Sequence, residues 1–204
     1  MNKVIWLLTI SDILILSAFG LIAPIFAIFM STGIMGGSIV AAGLAASVFL
    51  LVKSVVQLPL SIYIDKKKSK LAFLICGTIL IIAVPIFYAL SPHVNFIFLA
   101  QGVYGLGAAM AYPAWYSLFT MHLDAKHRGL EYSVWSTGVG LGAALTAYIG
   151  ARLAEKVGFD NLFYIVSGIS FLGLITLFFL SKKFLKDVED GVGLSLARLK
   201  HHKT

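Results

Sequence analysis

The sequence predicts an all-α integral membrane protein of six transmembrane helices. The first observation behind this is composition: the 204 residues are 59% hydrophobic and only 12% charged, whereas soluble domains average about 25% charged. Mean hydropathy is +0.94. The second is that the charges gather in short clusters, leaving the runs between them nearly free of ions. The third is run length, since a hydrocarbon core of about 30 Å is crossed by about 20 apolar residues in a helix.

Six runs meet that length: 5–30, 39–63, 71–90, 96–121, 132–154 and 162–180. None alternates with a period of two, which argues against barrel strands of about 10 residues. The first run is longer than the usual cleaved secretion signal and no clear small-residue cleavage site follows it, so it is expected to be a retained span. Between the runs lie a neutral Gly/Ser turn (31–38), a tight basic turn (65–70) and a Pro92-containing turn (91–95). A mixed-charge loop (124–131) and a short turn holding Gly158 (155–161) complete the set. The predicted organisation is a bundle over 1–181 and a basic tail over 182–204. The single Cys76 lies inside the third run, excluding a disulfide framework or a Cys-rich zinc site within one chain. It reads as a small packing residue.

A net charge of +7 invites a nucleic-acid reading, but its placement argues for topology. Lys3, Lys66, Lys67, Lys68, Lys70, Lys126, Arg128, Lys182, Lys183, Lys186, Arg198, Lys200 and Lys203 fall on one side of a six-span chain. The other side holds Arg152 and Lys156, and Lys53 lies within a span. The positive-inside rule then places both termini in the cytoplasm of a multi-pass cell-membrane protein. No nucleic-acid partner is expected. The lipid bilayer is the expected environment, with a secondary attraction of the basic side to anionic lipid.

Three motifs in order carry a family resemblance. The stretch 61–70 (SIYIDKKKSK) is similar to the loop signature G-x-L-A-D-R-x-G-R-[RK] of the major facilitator superfamily, through Asp65, Lys66 and Lys70. The stretch 101–110 (QGVYGLGAAM) resembles the fourth-helix signature R-x-x-x-G-x-G-x-A, with Gly105, Gly107 and Ala109 matching and Gln101 in place of the arginine. In the fifth run, Gly142, Thr146-Ala147 and Gly150-Ala151 stand where antiporters of the family carry G-x-x-x-G-P-x-x-G-G. The loss of that Gly-Pro pair and of the arginine weakens any proton-antiport inference. The resemblance implies the N-terminal half of a twelve-helix fold: a 3+3 inverted-repeat bundle in which the 65–70 loop sets the conformational equilibrium. Gly20 and Pro24 in the first run, echoed by Gly105, Gly107 and Pro113 in the fourth, are the trace such repeats leave. Gly and Pro are also simply common in membrane helices. Gly105, Gly107, Gly142 and Gly150 are the expected close-packing positions.

Few residues can carry chemistry. Asp12 lies inside the first run, where a carboxylate needs a partner, water or a proton; it reads either as a proton- or cation-coupling group or as an interfacial cap. Lys53 is deeper in its span and reads as a functional or pairing group, with Asp12 one conceivable partner. Tyr112 and Trp115, with Tyr116, follow the fourth helix toward its basic end and suit either a solute or the interfacial aromatic belt. Gln101 is a further polar candidate. No nucleophile elbow surrounds Ser117, no phosphate-binding loop accompanies the glycines, and His201-His202 lack companion ligands. The chain is therefore expected to be no enzyme and to need no metal or cofactor. Secondary transport of a small solute by alternating access is the leading expectation, with a second six-helix half supplied by a homodimer or a separate C-terminal half. The alternative is a truncated or accessory protein that binds another membrane protein without transporting.

Overall fold

The computed structural model describes residues 2–67 and 69–180; the expected tail at 182–204 lies outside them. Helix α1 (Lys3–Gly20) starts at Asn2, whose side-chain oxygen accepts the Ile5 N–H at 2.9 Å and so satisfies one of the free donors of the first turn. The first apolar run is not one helix, however. Residues 21–25 form a turn, a three-residue α2 (Phe26–Ile28) follows, and a π-helical turn covers Phe29–Gly33. Pro24 explains the break, because a proline clashes with the carbonyl four residues earlier, here that of Gly20, where α1 ends. Within the expected span 5–30 the helix is thus interrupted at 21–25 and resumes as α2 and the π-helical turn. By contrast, Pro59, Pro85 and Pro113 are accommodated inside α3 (Ile39–Asp65), α4 (Lys70–Ala89) and α5 (Val94–His122). The echo between Pro24 and Pro113 therefore does not extend to a shared break.

Helix α6 (Arg128–Phe178) holds 51 residues, about 76 Å if straight and more than twice the hydrocarbon core. It is not straight. Gly158 takes φ 81° and ψ 168°, a conformation open to glycine and strained for other residues. Packing on α1 reveals the reversal there. Gly138, Gly142 and Gly150 lie against Ile13, Ser17 and Leu21 in rising order, whereas Gly173 lies against Ser11 and Ile15 while Phe159 and Phe163 meet Phe29. The limb 128–157 therefore runs parallel to α1 and the limb 159–178 runs back. The turn expected over 155–161 contracts to this one residue, and the described chain forms long apolar helical segments with no strand among the described residues.

Two apolar clusters stack along the bundle axis. One, toward the end bearing Lys3 and Lys70, joins Ile5, Leu8, Ile64, Leu74, Leu118 and Leu177; the other joins Leu21, Phe29, Met30, Ala45, Val84, Tyr88 and Phe163. Helix contacts within the membrane rest on close packing and on hydroxyls that find backbone acceptors. Ser11 Oγ donates to Gly173 O at 2.8 Å and Ser167 Oγ to Ile82 O at 2.9 Å. Gly77 and Gly107 let α4 and α5 touch backbone to backbone: a Cβ on Gly107 would lie 2.9 Å from Gly77 O. Cys76, in contrast to its sequence reading as a packing residue, is exposed on the outer face of α4.

The loop between α5 and α6 is held by its own acids. Glu131 accepts the Asp124 N–H at 2.9 Å, and Asp124 takes His127 Nδ1 at 2.9 Å and the Lys126 N–H at 3.0 Å. The bond from His127 holds the Asp124 carboxyl below its ordinary value of 3.8, aided by the Lys126 amide. A depressed carboxylate stabilises the loop above its unfolded pKa and loses that contribution as pH falls through the folded one. Carbon-detected NMR titration is therefore expected to place the Asp124 midpoint below 3.8, and Asp124→Asn should remove the acid-side loosening of this loop; a midpoint at or above the ordinary value would contradict the arrangement.

Candidate functional site

Beside the first of the two apolar clusters the bundle leaves a narrow cavity. It is lined by Ser11, Asp12 and Phe19 of α1, Thr78 of α4 and Tyr104, Tyr112 and Trp115 of α5, among others. Its volume of about 30 Å³ holds a water or two and no larger solute. Asp12 is placed here because it falls on the face of α1 turned toward α5 and the limb 128–157. Its Oδ2 accepts the Trp135 indole N–H at 2.7 Å, a bond that links positions 123 residues apart. Trp115, behind it, donates its indole N–H to Leu8 O at 3.4 Å and stacks on Phe119 with ring centres 4.6 Å apart. Trp135 completes the wall, 4.9 Å from Trp115 and 5.1 Å from Tyr132.

Lys53 reaches the site from α3. Its Nζ sits 4.6 Å from the centre of the Tyr112 ring and 5.9 Å from that of Phe49, and Phe49 in turn stacks on Tyr104 at 4.3 Å. Tyr112 thus lines the cavity and carries the lysine. Gly105 makes this approach of α3 and α5 tight: a Cβ there would lie 2.8 Å from Phe49 O and 3.1 Å from Lys53 N. Gly142 and Gly150 do the same between α1 and the limb 128–157, where a Cβ would meet Ser17 or, 2.7 Å away, the Leu21 Cα.

Asp12, Tyr112 and Trp115 therefore come together, with Lys53 one ring away. Among the described residues Asp12 and Lys53 make no ion pair, so the pairing raised from the sequence is replaced by an indole for the acid and aromatic faces for the base. Gln101 is buried one helix turn before Tyr104 and lies outside the cavity lining; Tyr116 is exposed. Of the loop residues, Asp65 and Lys66 are exposed, while Lys70 is buried and donates from Nζ to Lys67 O at 3.3 Å. Sequence reading missed Trp135, Tyr104 and Phe49. Trp135 did carry a signal, being a lone indole inside an apolar span, where its N–H needs an acceptor.

Because Trp135→Phe keeps the ring contacts and deletes only the donor, it is expected to lower stability by about 1–2 kcal/mol, the scale of a hydrogen bond to an ionisable group. Thermal unfolding in detergent checks this; an unchanged midpoint would mean that Asp12 is held by something else.

Long apolar helical segments packed side by side, with a small cavity that holds Asp12 among aromatic and aliphatic groups, define a multi-pass membrane protein. The Major Facilitator Superfamily model matches residues 6–201, and the chain belongs to that superfamily. It is 28% identical over 179 residues to an uncharacterized MFS-type transporter of Methanocaldococcus jannaschii, a match covering 84% of this chain and 42% of that protein. It is also 27% identical over 100 residues to the voltage-gated purine nucleotide uniporter of Rattus norvegicus, covering 49% of this chain and 22% of the relative. The human uniporter of the same name shares 29% over 82 residues, 40% of this chain and 19% of the relative. The chain spans less than half the length of the curated relatives it matches.

Proposed function

We propose that this bundle is the N-terminal half of a secondary transporter that moves a small solute by alternating access against a second six-helix bundle. The observation that carries the reading is the open side of the molecule. Helix α3 and the limb 128–157 are the least buried, and beside exposed apolar residues such as Leu51, Val55, Leu141 and Leu145 they carry exposed small and polar ones: Gly43, Ser47 and Ser54 on one, Ser133, Ser136, Thr137, Gly140 and Ala144 on the other. Such stripes suit close helix approach and are ill suited to lipid alone. They flank the side on which Lys53 and Asp12 stand. A 30 Å³ cavity is too small for a solute, so the binding space must be completed by what faces it.

The pairing of helices supports the 3+3 inverted-repeat reading. Packing of α1 on the limb 128–157 is matched by packing of α5 on α3, with glycines at both contacts, as a half-bundle related to itself by a two-fold axis requires. The cluster of Lys3, Lys66, Lys67, Lys70, Lys126 and Arg128 at one end supports a cytoplasmic N-terminus in the cell membrane. In this reading the segment 1–181 is the bundle, the 65–70 loop acts in the conformational equilibrium, and Asp12 is the coupling group for a proton or cation.

The test uses the assembly as it is extracted from the membrane. Its mass in detergent is expected to include a second bundle, from a second copy or another half, and the same assembly in proteoliposomes is expected to give saturable solute flux. A strictly monomeric, flux-inactive species would instead favour an accessory role.

A further inference from the structure

We propose that Lys53 is an anion-binding subsite, so that the solute carries a carboxylate or phosphate group; this rests on the transporter reading above. Lys53 stands about 18 Å along α3 from Asp65 at the helix end, farther than a lysine can snorkel. An ammonium at that depth needs a counter-charge or water. The faces of Tyr112 and Phe49, at 4.6 and 5.9 Å, return only part of the desolvation cost.

Among the described residues no acid answers it. Asp65, Asp124, Glu131, Glu155 and Asp160 stand at helix ends or beside the Gly158 reversal, far from the middle of α3. Asp12 is the acid at membrane depth, and it makes no ion pair with Lys53; its Oδ2 is occupied by the Trp135 indole. The two charges are thus kept apart, each by aromatic groups, with the cation beside the open face of α3. A positive charge held by rings and left without a carboxylate is arranged to receive one from outside the bundle. Carboxylate and phosphate oxygens share the chemistry required: a full negative charge and several acceptors for the three ammonium protons.

The test measures thermal shift and proteoliposome counterflow on the membrane-extracted assembly with four probes: inorganic phosphate, succinate, neutral sorbitol and cationic choline. Phosphate or succinate is expected to bind, the one that does so assigning the group. Lys53→Met should weaken that binding at least about tenfold, while Lys53→Arg, which keeps the charge, should hold it within about threefold. The arginine variant keeps the test decisive if the methionine variant fails to fold. Anion binding untouched by Lys53→Met, or shifts with neither anion, would overturn the subsite. Saturable sorbitol or choline counterflow untouched by Lys53→Met would overturn it while leaving the transporter reading intact. Absence of counterflow with all four probes would count against both.

Discussion

Asp12→Asn is expected to leave the protein inserted and folded while removing ion-coupled accumulation of its solute. The amide oxygen of asparagine still accepts the Trp135 indole proton, now at 2.7 Å from Oδ2, so the wall built from Trp115, Trp135 and Phe119 keeps its anchor. What is lost is the capacity to take up and release a proton or to attract a cation. Coupling free energies are ordinarily about 1–3 kcal/mol, so accumulation should fall about 5- to 150-fold, with downhill exchange far less affected. Proteoliposome uptake with and without an imposed ion gradient separates the two. Equal loss of both would assign Asp12 to solute binding instead. Equal retention would make it a structural acceptor for Trp135.

Gly150→Leu is expected to destabilise the bundle by about 3 kcal/mol, the upper end of ordinary overpacking costs. The reason is what stands in the way. A Cβ at Gly150 runs into the backbone of Leu21, its Cα lying 2.7 Å away and its carbonyl oxygen nearer still, and backbone cannot rotate aside. Gly142→Ala provides the control. There the obstacle is the Ser17 hydroxyl, a side chain free to change rotamer, with its Cβ at 3.2 Å, so the cost should remain under about 1 kcal/mol. Thermal unfolding of both variants in one detergent decides the matter. Equal and small losses would mean that α1 and the limb 128–157 are less tightly joined than their geometry implies.

The apolar runs were legible because bilayer thickness is a severe constraint on length and charge, and the family motifs fell where the family match lies. Less legible was anything set by a single backbone position. Pro24 and Gly158 both stand out in the sequence, yet one ends a helix at Gly20 while Pro113 bends nothing of consequence into a break. The difference lies in whether neighbouring helices can satisfy the loosened backbone. The site was legible only by residue type. Asp12 and Lys53 attract notice as charges in apolar runs, but what each touches depends on contacts across the fold: Trp135 is 123 residues from Asp12, and no local pattern relates them. Opposite charge made a pairing conceivable, but among the described residues no ion pair joins the two, and aromatic groups hold each charge separately. Cys76 differs from expectation for the same reason, because a helix face is assigned by its neighbours.

The central claim is that the middle of α3 faces a water-accessible path that opens alternately to each side. Ser54, exposed and adjacent to Lys53, reports on it directly. In a Cys76→Ser background, Ser54→Cys is predicted to react with a membrane-impermeant thiol reagent applied from either side of sealed vesicles. Reaction with a lipid-soluble reagent alone would place this face in hydrocarbon and contradict the account.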